Sequence, residues 1–494
     1  MFRSLVKSLA IVATLTVAIP YASAFVCNFI GGWPQTKNRF RRAFNPRKVY
    51  SLNYTLLQKL MIALKYAPLY FQWRRFYKKA GPHIVVKDIP YGRNDNMLDI
   101  YFPYSHSLNE KGSYPVVLFV YGGAWGSGDK DMYGLLCHNV SNKLNVIVCC
   151  PNLSNYPQGY VDDMIQDVVD SVSWTFDNIH GHGGNRNNII LVGHSSGAHL
   201  CAMTVLELLH DELVQTGTSQ KQPVLARSLR FEEQHFTGRH ASGDNSRQEK
   251  LDTLEVSSAS SGSFCVVNDT DEKGAASTDF NNAASMFEVL NMQKNGEQEA
   301  VEVDTTAGGE LLKSDEGSAG EEGQKEQEES EKEEDDDNDS VVTVQRKGSD
   351  PPPTLVDLCK CVRAVIGLAG VYNIADHFRH ESGRGVEDVS SMARAMYGQE
   401  HFDRFSPSYI VKNLSRSVSL PKFVLLHGTE DYVVPLTSTT KFGDALTDIF
   451  ADVSVRIIPM CDHYEICLDL MDSKRKYYDS VMEVLLDTAK RVFN

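Results

Sequence analysis

The stretch "LVGHSSGAHL", residues 191–200, decides how this chain is read. It holds Gly-x-Ser-x-Gly, with Gly193 and Gly197 two places either side of Ser195, where an apolar run passes into a helix-like one. A serine that projects its oxygen above a sheet sits on a strained strand-to-helix turn, and that turn tolerates only small neighbours. The motif also arises by chance in long chains, so its meaning depends on what surrounds it.

Short, almost wholly apolar runs lie on both sides of it: 115–123, 146–150, 188–195, 363–372, 422–431 and 454–463. Two alternating runs, "VVKDIPYG" (85–92) and "MLDIYFPY" (97–104), precede them and predict an antiparallel pair. Helical periodicity separates the strands, clearest in 160–178, with apolar residues at 161, 164/165, 168/169, 172 and 176, and again in 198–210. Alternation of this kind predicts an α/β fold with a mostly parallel central sheet and helices on both faces.

With a sheet predicted, the partners of Ser195 can be sought at strand ends. A general base needs an imidazole at the nucleophile, and the imidazole needs a carboxylate to orient it. Asp431 ends "FVLLHGTED" and His463 ends "VRIIPMCDH", in the order nucleophile, acid, base. Glu430 and Asp462 are sequence neighbours expected to point elsewhere, His194 and His199 flank the serine, and His427 reads as a packed core histidine. The loop "FVYGGAW" (119–125) follows the first long parallel strand. The N–H groups of Gly123 and Ala124, beside Gly122 and with that of Ser196, are the candidate oxyanion donors. Losing one such donor costs about 3–4 kcal/mol of transition-state stabilisation. His180 and His182 lack a third ligand, so no metal is called for, and the chemistry needs no cofactor.

The net charge of −15 conceals three regions. Residues 1–80 contain fourteen Lys or Arg and no Asp or Glu, residues 211–354 carry −20, and −9 remains for the rest. The acidity therefore belongs to an insertion and excludes nothing about the substrate, while nothing in the sequence calls for nucleic acid. The insertion is rich in Ser, Gly, Glu and Asp, so it cannot recover its ordering entropy and is expected to be disordered. It could serve as a solvated, modifiable loop or dock a basic partner. The expected organisation is an N-terminal hydrophobic and basic segment (1–80), a catalytic domain in two parts (81–210 and 355–494), and the insertion (211–354) between them.

The N-terminus admits two readings. Ala22-Ser23-Ala24 resembles a signal-peptide cleavage site, yet apolar character runs from Leu9 to Ile30, enough to span a ~30 Å hydrocarbon layer. The cluster Lys37, Arg39, Arg41, Arg42, Arg47, Lys48 outweighs Arg3 and Lys7, which favours an anchor with the body in the cytosol. The sequons at Asn53 and Asn413 would matter only in a lumen. Residues 54–79 mix apolar and aromatic side chains with lysines and end in a basic cluster, so they could lie in a membrane interface or pack on the enzyme. The ten cysteines show no disulfide-framework spacing and are read as reduced.

The stretches "VVLFVYGGAWGSGDK", "NYPQGYVDDMIQDVVDSVSWTFDNI", "NIILVGHSSGAHL", "IGLAGVYNIADHF", "FSPSYIV" and "LPKFVLLHGTEDYVVP" resemble the isoprenylcysteine methylesterases of the α/β-hydrolase superfamily. The resemblance implies an α/β-hydrolase fold and a membrane-bound esterase of the endoplasmic reticulum or Golgi. It implies as substrate a prenylated protein or prenylcysteine methyl ester, with Ser195, Asp431 and His463 as the catalytic residues. The sequence departs from the pattern at Tyr121, where His is common, at Asn185-Arg186, where Asp-Pro is usual, and in the acidic insertion. A broader carboxylesterase or formamidase, and a catalytically silent hydrolase-like interaction protein, are the alternatives.

Overall fold

A computed structural model of the chain describes residues 14, 16–27, 44–106, 113–215, 355–387, 389–414 and 419–493. The main elements in chain order are α1 (16–27), α2 (Pro46–Lys79), β1 (Val85–Pro90), β2 (Met97–Tyr101), β3 (Tyr114–Val120), α3 (Gly134–Leu144), β4 (Ile147–Pro151), α4 (Val161–Asn178), β5 (Gly184–His194) and α5 (Ser196–Gln215). After the insertion come α6 (Leu355–Cys361), β6 (Val362–Leu368), α7 (Ile374–Arg384), α8 (Pro407–Lys412), β7 (Lys422–Gly428), α9 (Leu436–Asp448), β8 (Val453–Ile458) and α10 (Tyr478–Phe493).

The eight strands form one sheet in the order β1-β2-β4-β3-β5-β6-β7-β8. Only β2 runs antiparallel to both its neighbours, and the ladder from β4 to β8 is parallel throughout. Strands buried on both faces must be apolar on both faces, and β3, "YPVVLFV", and β4, "IVCCP", have no exposed position. The helices supply the cover: α3 packs with α10, and α5 with α4 and α6. This strand order, with a helix after each parallel strand and a serine at the β5–α5 turn, is the α/β-hydrolase fold.

Local chemistry sets the helix limits. Asp163 accepts from the Tyr160 N–H (2.8 Å) at the start of α4, whose buried face is Val161, Met164, Ile165, Val168, Val169 and Val172. Each such side chain contributes about 1.5–3 kcal/mol when it leaves water. Helix α5 runs to Gln215, five residues beyond its expected end, and the rest of the acidic insertion (216–354) lies outside the described residues.

Helix α2 starts at Asn45, whose side chain accepts from the Arg47 N–H, with Pro46 at the first helical position. The sequence left open whether this stretch packs on the enzyme, and one face of it does. Ile62, Tyr66, Leu69 and Trp73 enter the main core, and Val49 and Leu52 form a smaller cluster with Ala24 and Val386. The expected boundary at residue 80 is thus crossed by a shared core. Among the described residues no helix is long and apolar enough to cross a membrane, and much of the apolar run expected to do so, residues 9–13, 15 and 28–30, lies outside them. The nine described cysteines are free thiols.

A buried ion pair ties the end of α2 to the sheet. Asp99 of β2 faces Lys130 Nζ (2.9 Å) and accepts from the Tyr77 hydroxyl (2.9 Å) and the Asp88 N–H (3.0 Å). Both charged side chains are buried, and Lys130 also pairs with Asp88 (2.6 Å), so it is removal of Lys130 that leaves a buried charge, Asp99, uncompensated. Lys130→Met is expected to lower stability by about 3–5 kcal/mol. Urea unfolding reads this as a lower midpoint at unchanged m, and Lys130→Met with Asp99→Leu should recover part of the loss.

Candidate active site

Ser195 joins β5 to α5 with a φ of 53°, the left-handed region that costs a non-glycine residue about 1–3 kcal/mol. Its N–H donates to Leu368 O (2.9 Å) on the neighbouring strand, which holds the turn open towards the end of the sheet where β6 also stops. Two glycines make this geometry possible. A Cβ on Gly197 would lie 2.1 Å from Val120 O, and one on Gly122 would lie 2.8 Å from the Ser195 Cβ. The turn and the glycine loop therefore meet backbone to backbone.

Ser195 Oγ lies 3.0 Å from His463 Nε2, and His463 Nδ1 lies 2.8 Å from Asp431 Oδ2. A carboxylate only accepts, so Nδ1 carries the proton and Nε2 presents its lone pair to the serine hydroxyl. Asp431 lies three residues past the end of β7 and His463 five past the end of β8, both well within reach of the β5 turn. Asp431 is fully buried. Its other oxygen accepts from the Val433 and Val434 N–H groups (2.9 Å each). Burial alone would raise its carboxyl, but the His463 and His427 imidazoles outweigh that and hold it well below the usual carboxylate range.

His427 is buried as expected, yet it also belongs to this network. Its Nε2–H lies between Asp431 Oδ2 (3.1 Å) and Val434 O (3.0 Å), while Nδ1 accepts from the Thr439 hydroxyl (2.7 Å). The acid thus answers to two imidazoles, of which only His463 reaches the serine. His194 donates from Nε2 to His463 O (2.9 Å), which fixes the backbone of the base. Glu430 is exposed, and Asp462 caps Tyr464 and Glu465 instead (2.8 and 2.7 Å).

The glycine loop is held from several directions. Gly123 O accepts from Gly126 N, Ser127 N and the Ser127 hydroxyl, while Ala124 and Trp125 take φ values of 50° and 59°. The Ser391 hydroxyl donates to Ala124 O (2.6 Å), and Tyr133 donates to Gly122 O (3.2 Å). The Trp125 indole donates to His199 Nδ1 (3.2 Å), and His199 Nε2–H donates to Phe405 O (2.8 Å). Tyr121 stacks on Tyr133 (5.5 Å between ring centroids) and accepts from the Leu153 N–H, so this departure from the family pattern serves as scaffold. Gly123 N–H donates to the Ser196 hydroxyl (3.0 Å). The Ser196 N–H, first in α5, has no intrahelical acceptor and lies at the positive end of the helix. The arrangement suits attack on a carbonyl carbon and stabilisation of the resulting oxyanion.

The buried histidines give the fold a pH dependence. Burial, then the neighbouring His463, holds His194 down at about 3. Burial brings His199 to about 4, and burial followed by Arg384 holds His377 well below its ordinary value. Unfolded imidazoles protonate near 6.5, so below that pH the unfolded chain takes protons the folded one refuses. The opposing groups are Asp163, Asp167 and Asp170, which burial raises, Asp167 to about 6, and which favour the folded state as pH falls towards about 4. The three imidazoles, joined by His138, His182 and His380, which burial also lowers, outweigh them. The urea midpoint should therefore fall steadily between about pH 6.5 and 4.

Two family patterns match the chain: BD-FAE over residues 98–229, and the prolyl oligopeptidase family over residues 360–488. The sequence is similar to a probable isoprenylcysteine alpha-carbonyl methylesterase of Oryza sativa subsp. japonica, 31% identical over 203 residues, 37% of this chain and 45% of that one. It is 39% identical over 138 residues to the isoprenylcysteine alpha-carbonyl methylesterase of Arabidopsis thaliana, 28% of this chain and 30% of that one. It is also 32% identical over 186 residues to the kynurenine formamidase of Danio rerio, 35% of this chain and 59% of that one. The chain spans less than half the length of the two methylesterases.

Proposed function

We propose that the chain is a serine hydrolase of carboxylic esters, acting on the C-terminal isoprenylcysteine methyl ester of prenylated proteins. The observation that carries the proposal is the single hydrogen-bonded line from Ser195 through His463 to the buried Asp431. In the reaction His463 Nε2 takes the Ser195 proton as Oγ attacks the ester carbonyl, and Asp431 stabilises the imidazolium. The tetrahedral oxyanion is met by the N–H groups of Ala124 and Ser196, since the Gly123 N–H is engaged by the Ser196 hydroxyl. Collapse expels methoxide, which leaves as methanol with the proton from His463. Water, deprotonated by the same nitrogen, then attacks the acyl-enzyme and frees the carboxylic acid and Ser195. Similarity to two methylesterases supports methanol as the leaving group.

The same reading puts the chain at the endoplasmic reticulum or Golgi membrane, held by its N-terminal segment with the catalytic part in the cytosol, where prenylated C-termini lie. The charge excess after the apolar run supports this orientation. So does Asn53, whose amide nitrogen donates to Pro20 O (2.9 Å) and Val49 O (2.8 Å) and is not presented for a glycan. A shift in mass on glycosidase treatment would overturn it.

The substrate test compares farnesylcysteine methyl ester with short acyl esters and with N-formylkynurenine. The methyl ester should be preferred in kcat/KM by at least about tenfold. Equal rates on all three would refute the methylesterase reading and leave a broad hydrolase. No turnover, together with no covalent labelling of Ser195 by a fluorophosphonate, would refute hydrolysis itself.

A further inference from the structure

Helix α2 is 34 residues long and contains no Asp or Glu. Its inner face is built into the enzyme, as described above. Among the described residues nothing covers its outer face. Tyr50, Leu57, Leu60, Met61 and Leu64 are each more than half exposed, and Phe71 is 69% exposed. Spacings of seven, three and four place them on one side of the helix, a stripe about 30 Å long. Single exposed apolar side chains are ordinary on a protein surface, but an aligned row of this length calls for something to cover it. The row ends in Arg74, Arg75, Lys78 and Lys79, all exposed.

We infer that the outer face of α2 is a docking surface for an anionic lipid bilayer, with the helix lying flat in the interface. The apolar row enters the boundary between headgroups and acyl chains, and the basic end meets lipid phosphates and carboxylates. A flat orientation follows from the inner face. Ile62, Tyr66 and Trp73 are already spent in the core, and Lys65 pairs with Asp462 (3.1 Å) and Glu465 (2.8 Å), so the helix cannot leave the enzyme to cross the membrane.

The inner contacts also tell where the surface lies. Asp462 immediately precedes His463, so Lys65 braces α2 against the loop that carries the general base. Lys48 pairs with Glu387 and donates to Ser382 O (3.0 Å) at the end of α7, and Arg384 of α7 donates to Val433 O (3.0 Å) in the loop that carries Asp431. A bilayer bound on the outer face of α2 therefore stands one helix thickness from the loops of the acid and the base. This docking does not depend on which ester is cleaved, and its test needs no substrate.

The test uses the full chain with Leu60→Trp and, separately, Leu64→Trp, added to phosphatidylcholine–phosphatidylserine vesicles with brominated acyl chains. The reference is Phe450→Trp, an exposed position before β8, at the opposite end of the sheet from Ser195. Emission from positions 60 and 64 should be quenched by bromine while that from 450 is not. Arg75→Glu with Lys79→Glu should weaken vesicle partitioning by at least about tenfold at low salt. All variants should keep the unfolding midpoint of the parent. Sedimentation with vesicles while positions 60 and 64 stay as unquenched as 450 would overturn the inference, since another segment would then hold the chain. It is equally overturned if no vesicles bind, or if Leu60→Glu with Leu64→Glu converts a dimer to a monomer, because the face would then cover a second copy.

Discussion

Ser195→Ala is expected to lower kcat for ester hydrolysis about a millionfold with the fold intact. Alanine keeps the Cβ that already occupies the strained φ of 53°, so the turn gains no new strain. What disappears is the oxygen 3.0 Å from His463 Nε2, and with it the acyl-enzyme route. The glycine loop and the Ser196 N–H remain, so a residual rate of about 10³–10⁴ over water should persist. Steady-state kinetics on a soluble short-chain ester, with fluorophosphonate labelling in parallel, measure both. Retention of more than about a hundredth of the parental kcat would refute the nucleophile assignment. Adding His463→Ala to Ser195→Ala should cost almost nothing further, because the two act as one unit.

Asp431→Asn is the second large effect, a fall in kcat of about 10⁴ with KM nearly unchanged. The carboxylate accepts from His463 Nδ1–H, His427 Nε2–H and two backbone N–H groups, and no hydrogen is left on it to donate. An asparagine must turn its NH₂ towards one side. Facing Val433 and Val434, the NH₂ collides with two donors. Facing the imidazoles, it demands a lone pair from His463 Nδ1, which moves the proton to Nε2 and removes the base from Ser195. Pre-steady-state kinetics should show acylation as the slowed step. In the parent enzyme the His463 and His427 imidazoles outweigh the cost of burial and hold the Asp431 carboxyl well below the usual carboxylate range, so the ionised acid is the acceptor that asparagine cannot replace.

Much of this site was legible in the chain because its signals are local or ordered. A glycine on either side of Ser195, a glycine pair after β3, and an acid and a histidine just past successive strands need no distances to be noticed. The supporting histidines were another matter. His199 reaches Phe405 across 206 positions and His194 reaches His463 across 269, the second through a backbone carbonyl that leaves no trace in residue type. His427 read as core, and it is core, but the pairing with Asp431 depends on a loop that folds back through Val433 and Val434. Ser391 and Arg384 act on main-chain oxygens and could not have been singled out.

The N-terminal helix divides in the same way. Its lack of acid and its apolar and basic composition stand in the sequence, and they left open whether the helix packs on the enzyme or lies on a membrane. Only the packed structure shows that one face is built into the enzyme while the opposite one is bare among the described residues, because burial is decided by which side meets α3 and α7, not by composition. By itself the sequence determined the parallel sheet, the position of the serine on its turn, and the order of nucleophile, acid and base, all of which follow from hydrophobic period and from backbone sterics at glycine. Tertiary structure alone decided that His427 also supports the acid, through a loop that folds Asp431 back onto it, and which face of α2 is bare among the described residues. Those depend on how loops and helices meet in space, and short-range chemistry in the chain does not encode such a meeting.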